Sequence, residues 1–149
     1  MHDFTPAKAK DYESEEVELF RDLHAQFILK GFEKMPRGMT GLDSGQPWFI
    51  YLLSQALETL NTEGVELTPE MRSRCVSYLS QCQNHEEGGF GGAPKHISHL
   101  ASTYAAILAV VNVGTEEAFL MVNVPAMKRF LLSMKNNYVF AKQGAKSGW

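Results

Sequence analysis

The chain has 149 residues, of which 44% are hydrophobic and 21% are charged. This length and apolar content predict one globular domain with a real core and argue against intrinsic disorder. The net charge of −3 argues against a nucleic-acid-binding surface. Because no apolar run is long enough for a membrane span and the N-terminus has no signal-peptide pattern, we expect a cytoplasmic protein.

Helical periodicity dominates the first half of the chain. The pattern predicts helices over residues 14–31, 47–61 and 69–82. Gly31 is the expected end of the first helix, and Pro47 and Thr68 mark the starts of the next two. Val17, Phe20, Leu23 or His24, and Phe27 recur at three- and four-residue spacing along the first helix, as on one helix face.

The second half is also helical. Residues 102–113 are apolar on every side, which predicts a helix buried all round and ended by Gly114. A short helix follows Thr115, and a last one starts at Asn123. No stretch alternates with a period of two, so we expect almost no β-sheet.

The helices repeat in pairs. Residues 75–84 align with residues 127–136 at a shift of 52, and residues 57–61 align with residues 108–112 at a shift of 51. Self-similarity at this period is typical of stacked helical arrays and rings. Since such arrays usually need about three units, we expect the chain to be part of a longer array.

Two polar features have alternative interpretations. The glycines of residues 88–92 resemble a phosphate-binding loop, but the Gly-Lys-Ser/Thr ending is missing, which favours a tight turn around Phe90. The residue types Cys82, His85, His96 and His99 suit zinc, although their order is not that of the common finger. Core packing of Cys75 and Cys82 on one helix face is the alternative.

Candidate pocket residues stand near two helix starts. His99 is either a hydrogen-bonded core histidine or a pocket residue. Trp48 and Tyr104 lie near the starts of helices that the repeat makes equivalent, and such starts cluster at one rim of a helical ring. The two aromatics are therefore either core residues or the wall of an apolar pocket. No serine-hydrolase motif occurs.

Several motifs in series resemble one family. Leu42-Asp-Ser-Gly-Gln-Pro-Trp48 is similar to a motif of protein prenyltransferase β subunits, and Glu86-Glu-Gly-Gly-Phe-Gly-Gly92 is similar to their glycine turn. His99-Leu-Ala-Ser-Thr-Tyr-Ala-Ala106 and Gly114-Thr-Glu-Glu-Ala118 resemble the farnesyltransferase type. The resemblance covers about residues 15–136.

This resemblance implies an all-α fold, an α/α toroid of helical pairs, here as an incomplete ring. It implies a heterodimer with a separate α subunit and transfer of farnesyl from farnesyl diphosphate to the cysteine of a C-terminal CaaX tail (Cys-aliphatic-aliphatic-X). Zinc would activate the acceptor thiol and magnesium would assist the diphosphate. No nucleic acid is expected among the partners.

The resemblance also assigns residues. Trp48 and Tyr104 match the isoprenoid pocket and favour the shorter farnesyl group, whereas His99 and Ala101 match residues near the CaaX peptide. Gln46, Leu52 and Ser102 depart from the family pattern, and Leu52 stands where a second tryptophan is usual. No residue here matches the family's catalytic, zinc or diphosphate positions, so we expect the chain alone to be inactive.

The chain is divided by these patterns into an N-terminal tail of residues 1–13, a prenyltransferase-like repeat region of residues 14–136 and a divergent tail of residues 137–149. The expectation is the N-terminal portion of a farnesyltransferase-type β subunit in truncated form. The alternatives are a non-catalytic fragment that binds an α subunit, a geranylgeranyltransferase β subunit and a terpene cyclase. A cyclase would need an Asp-rich motif, and this sequence has none.

Overall fold

The computed structural model describes residues 18–33 and 45–144, with side chains described as far as residue 135. These ranges form six helices and no strand, apart from an isolated antiparallel bridge between Gln83 and Phe90. The helices are α1 (Arg21–Glu33), α2 (Gln46–Leu60), α3 (Pro69–Cys82), α4 (Leu100–Val113), α5 (Glu116–Leu120) and α6 (Val124–Gly144). The predicted helical segments are thus confirmed, with differences in bounds at α1 and α4.

Helix boundaries follow local capping chemistry. The Thr68 hydroxyl accepts a hydrogen bond from the Met71 backbone N–H at 3.2 Å, and Thr115 caps α5 through the Ala118 N–H in the same way. The left-handed conformation of Asn61 ends α2, and that of Gly114 ends α4. Thr68, Thr115 and Gly114 therefore have the roles that their residue types predict.

The first helix departs from its predicted bounds. Residues 14–17 lie outside the described part of the chain, and α1 begins only at Arg21. It continues beyond Gly31 to Glu33. Gly31 has a packing role instead, since a Cβ there would lie 3.2 Å from the Leu53 Cδ1 of α2. This glycine permits the two helices to approach closely, and it does not end α1.

The predicted buried face of α1 is also wrong. Phe20, Leu23 and Phe27 are exposed, whereas Ala25 and Ile28 are buried against Leu57 and Leu67. Val17 lies outside the described residues. Because α1 has apolar residues on more than one face, its periodicity alone does not determine which face meets α2.

The fourth helix is not buried all round. It begins two residues before the predicted start, and its Leu100, Tyr104 and Val111 side chains are exposed at helical spacing on one face. The opposite side carries Ala106 and Val113 into the buried cluster that also contains Leu79 and Phe90, which we call the main core. An apolar helix that keeps an exposed apolar stripe is typical of a wall that faces a ligand or a partner.

Two parallel helices form the centre of the fold. The starts of α2 and α4 meet at Trp48 and Tyr104, and their later turns meet at Ser54 and Asn112, so the helices run in the same direction. The intervening α3 packs on α4 and contributes to the main core through Leu79. The hairpin of α2 with α3 and the unit of α4 to α6 correspond to the two sequence repeats.

The glycine-rich segment is a packed turn. Gly88 has a φ of 98°, and a Cβ there would lie 2.1 Å from the Ala126 carbonyl oxygen of α6. Phe90 within the turn is fully buried, and the Gln83 amide joins the turn to Asn123. Since α6 fills the space beside the glycines, the tight-turn interpretation is confirmed and no open phosphate cradle is left.

None of the helices in the described ranges combines the length and apolar character needed to cross a membrane.

Candidate functional site

Three aromatic rings from two helices form a closed cluster. The Trp48 ring centroid lies 5.9 Å from that of Tyr104 and 6.1 Å from that of Tyr51, and the two tyrosine rings are 6.1 Å apart. Tyr51 and Tyr104 meet edge to face at 79°. These separations and tilts lie in the favourable range for aromatic pairs. We call Trp48, Tyr51 and Tyr104 the aromatic wall.

The starts of α2 and α4 position the wall. Pro47 is buried in the first turn of α2 and fixes the backbone next to Trp48. His99 caps α4 through its Nδ1, which accepts a hydrogen bond from the Ala101 backbone N–H at 3.1 Å. Because Tyr104 lies in the second turn of α4, this cap holds the backbone that carries it.

A polar contact below the wall fixes the two helices to each other. The Asn112 amide donates to the Ser54 hydroxyl at 3.1 Å and to the Gln55 side-chain oxygen at 3.4 Å. The buried Ser54 hydroxyl also donates to the Ile50 and Tyr51 carbonyls. Such a satisfied network sets the register of α2 against α4, and therefore of the rings above it.

The surroundings of Tyr51 disfavour the ionised form of its phenol. Burial raises the pKa of Tyr51 above its ordinary value, and a hydrogen bond to Tyr104 and the charge of that neighbour raise it further.

The predicted peptide residues lie on an accessible rim. His99 and Ala101 are both exposed, so the core-histidine interpretation of His99 is wrong. Since Nδ1 accepts the capping hydrogen bond, the neutral ring carries its proton on Nε2. That N–H can donate to an oxygen of a bound molecule.

Sequence reasoning missed Tyr51. The signal was present, because Tyr51 follows Trp48 by one helical turn and so shares its face. The proximity of Trp48 and Tyr104 was predicted and is confirmed by their ring contact. Their binding role, like that of His99 and Ala101, stays a prediction.

A separate cavity lies on another side of α2. We call this space of about 580 Å³ between α1, α2 and α3 the outer cavity. It is lined mainly by apolar side chains, among them Phe27, Phe49, Leu52 and Tyr78. Leu52, which replaces the second tryptophan of the resemblance, thus borders the outer cavity, and none of the three rings of the aromatic wall lines it.

The thiol and imidazole groups do not form a metal centre here. Within residues 18–33 and 45–135, no group of three or more His, Cys, Asp or Glu side chains is placed to hold an ion. Cys75 and Cys82 lie in the main core, as the packing alternative predicts. His99 is engaged as a helix cap.

The buried thiols are expected to resist alkylation. Burial raises the pKa of Cys75 to about 11 and that of Cys82 to about 12, although Arg74 and Arg72 partly oppose the shift at Cys75. Each pKa unit lowers the reactive thiolate fraction about tenfold. Iodoacetamide at pH 8 should therefore react at least about a hundredfold more slowly with the native chain than with the urea-unfolded chain.

The same shifts give a pH dependence of stability. Because the folded thiols have raised pKa values, their contribution is complete below the ordinary thiol pKa and is lost as the pH rises toward 11 to 12. The free energy of unfolding should decrease over this alkaline range. Rapid alkylation of native Cys75 at pH 8 would contradict the burial argument.

Comparison with known proteins places the fold. Residues 19–147 match the family described as Prenyltransferase alpha-alpha toroid domain. The chain is 33% identical over 120 residues to the protein farnesyltransferase subunit beta of Arabidopsis thaliana, covering 80% of this chain and 24% of that relative. It is 34% identical over 132 residues to the protein farnesyltransferase subunit beta of Dictyostelium discoideum, covering 80% and 25% respectively.

A third relative has a different description. A probable geranylgeranyl transferase type-2 subunit beta of Caenorhabditis elegans is 33% identical over 102 residues, covering 63% of this chain and 27% of the relative. The chain spans about a quarter of the length of these curated relatives. The family match includes all six helices, and the predicted α/α toroid fold is thereby confirmed. The chain belongs to the prenyltransferase α/α toroid family.

Proposed function

We propose that this chain forms part of a protein farnesyltransferase β subunit and that its aromatic wall holds the end of the farnesyl group. The three-ring cluster carries this proposal, because it presents large apolar faces on the starts of two parallel helices. The similarity to farnesyltransferase β subunits from two organisms supports the donor assignment.

The wall can select the donor by length. The side chains of Trp48 and Tyr104 are large, and their rings leave no wide gap between them at 5.9 Å. A longer isoprenoid would have to displace one ring and lose its packing energy. The shorter farnesyl group is therefore the better fit, and the large rings disfavour a geranylgeranyl donor.

The acceptor is proposed to be a protein tail that ends in a CaaX sequence. Exposed His99 and Ala101 support a peptide site next to the wall, since Ala101 lies within one turn of Tyr104 on α4 and His99 caps the same helix. The His99 Nε2–H can hydrogen-bond a peptide oxygen while Nδ1 maintains the helix cap. The side chain of His99 then binds and orients the acceptor.

Zinc and magnesium belong to the proposed enzyme, but the described residues do not fit either ion. The two buried thiols have raised pKa values and are poor ligands, and among the described residues no three His, Cys, Asp or Glu side chains are grouped to hold a metal ion. We propose that this part of the chain supplies binding surface. Three expectations stay predictions. They are that the enzyme's metal and diphosphate ligands are not in this chain, that the chain contacts an α subunit, and that it is cytoplasmic.

A geranylgeranyltransferase β subunit is the second candidate. The Caenorhabditis elegans relative favours it, but it matches a smaller share of this chain than the two farnesyltransferase subunits do. The large side chains of the aromatic wall also favour farnesyl, the shorter of the two donors.

A segment exchange tests the proposal. Residues 19–135 of this chain replace the matching stretch of the Arabidopsis thaliana β subunit, which is then co-expressed with a farnesyltransferase α subunit. We call this complex the exchanged heterodimer. It should transfer farnesyl to a CaaX peptide, with a kcat/KM at least about tenfold higher for farnesyl than for geranylgeranyl diphosphate.

The outcomes separate the candidates. A preference for geranylgeranyl diphosphate would support the second candidate. A folded, zinc-containing exchanged heterodimer that transfers neither group would refute the proposed function.

A further inference from the structure

Tyr51 is the member of the aromatic wall that also packs against the main core. Its half-buried side chain adjoins the buried cluster that contains Leu79 and Phe90. Its ring touches both other rings of the wall, at 6.1 Å between centroids in each case. Tyr51 therefore connects the rigid interior to the two rings that the resemblance assigns to the isoprenoid.

The ring of Tyr104 needs such support. This side chain is 55% exposed, so the core holds only part of it. The two rings in contact with it among the described residues are Trp48 and Tyr51. Tyr51 meets Tyr104 edge to face at 79°, which restricts the tilt of the exposed ring.

The backbone of Tyr51 is itself held in place. Its carbonyl accepts a hydrogen bond from the Ser54 hydroxyl at 3.0 Å and lies 3.5 Å from the donating Asn112 amide of α4. These contacts restrict the helix turn from which the ring projects. A residue with this anchorage can impose its position on less buried neighbours.

We propose that Tyr51 is a positioning residue that fixes the Trp48 and Tyr104 rings and thereby sets the isoprenoid length accepted by the site. This inference rests on the proposed function for its donor. Tyr51 acts through the other two rings and need not touch the isoprenoid itself.

The first experiment measures the wall directly in the 149-residue chain. Trp48 and Trp149 are the two tryptophans, so Trp149→Phe leaves Trp48 as the fluorescent probe. Tyr51→Leu removes the supporting ring and should raise acrylamide quenching of Trp48 by about twofold, because the indole loses one of its packed neighbours. Tyr51→Phe keeps the ring and should change quenching by less than half as much.

Tyr78→Leu is the matched control. Tyr78 is also half-buried against the main core, but it borders the outer cavity. A general loosening of the core would raise Trp48 quenching in this control as well as in Tyr51→Leu. Equal effects of the two variants, or no effect of Tyr51→Leu, would overturn the positioning role.

The second experiment measures donor selectivity in the exchanged heterodimer. Tyr51→Leu should move the ratio of kcat/KM for farnesyl to that for geranylgeranyl diphosphate about five- to tenfold toward the longer donor. Tyr78→Leu should leave this ratio unchanged, because lost stability lowers both rates together. An unchanged ratio in Tyr51→Leu would overturn the proposal.

The two readouts distinguish this inference from the proposed function. If the parent exchanged heterodimer transfers no prenyl group, the proposed function fails, and the length-setting part of this inference fails with it. Trp48 quenching still decides whether Tyr51 fixes the rings. If the parent transfers farnesyl but Tyr51→Leu gives the same quenching and the same donor ratio as the control Tyr78→Leu, this inference alone fails.

Discussion

Trp48→Thr in the exchanged heterodimer is expected to move donor preference at least about tenfold from farnesyl toward geranylgeranyl diphosphate. The substitution removes most of an indole that lies 5.9 Å from the Tyr104 ring and 6.1 Å from the Tyr51 ring. The vacated space suits one more isoprene unit, and filling it recovers apolar burial of about 0.8 kcal/mol per methylene. The measurement is the ratio of kcat/KM for the two diphosphates.

Phe49→Thr provides the control for Trp48→Thr. Phe49 is the next residue of α2, but it borders the outer cavity and is not part of the aromatic wall. Both substitutions remove an aromatic ring from the same helix turn, so both test general damage to α2. Only Trp48→Thr should change the donor ratio, with zinc content unchanged. An unaltered ratio in Trp48→Thr would make Trp48 a packing residue and remove the pocket assignment.

Gly88→Ala is expected to lower the free energy of unfolding by about 3 kcal/mol or more. Two separate costs add at this position. The φ of 98° is strained for any residue with a Cβ, and that Cβ would lie 2.1 Å from the Ala126 carbonyl oxygen. Neither can be relieved by a side-chain rotation, because the obstacle is the backbone of α6. Urea unfolding of the 149-residue chain measures the change.

Gly64→Ala separates the two costs. Gly64 also has a positive φ, 72°, but no atom lies within 4 Å of an added Cβ. This variant should lose only the conformational term, about 1 kcal/mol. Equal losses at the two glycines would contradict the close packing of the turn on α6. A chain that no longer unfolds cooperatively after Gly88→Ala would agree with a loss at or beyond the expected size.

Local chemistry determined what could be predicted of the helices. The start of α3 follows from the hydroxyl of Thr68 and the ring of Pro69, which act within a single turn. The end of α4 follows from Gly114, whose left-handed conformation is local too. Such signals need no knowledge of the neighbouring helices, and they were therefore correct from the sequence.

Tertiary packing determined what could not be predicted. Periodicity placed Phe27 in the core, but contact with α2 selects the face that carries Ala25 and Ile28. Because α4 is apolar on every side, its sequence does not show which face is exposed; that depends on the side on which the neighbouring helices pack. The residue type of Gly31 suggested a helix end. Its packing role could not be predicted locally, because the close approach to Leu53 is a contact between two helices.

The candidate site was predicted in part for the same reason. The repeat and the family resemblance predicted that Trp48 and Tyr104 are close in space, although 56 residues separate them in sequence, and their rings are in contact. Tyr51 was missed because its importance comes from simultaneous contact with the core and with both rings. The capping role of His99 also depends on the backbone conformation at the start of α4.

The most direct test of the account is photolabelling of the exchanged heterodimer with a farnesyl diphosphate analogue that carries a photoreactive group on its last isoprene unit. If the aromatic wall holds the end of the farnesyl group, mass spectrometry maps the label to Trp48, Tyr51 or Tyr104, with labelling suppressed by excess farnesyl diphosphate. Labelling of the outer cavity at Phe27, Phe49 or Tyr78, with none on the aromatic wall, would contradict it.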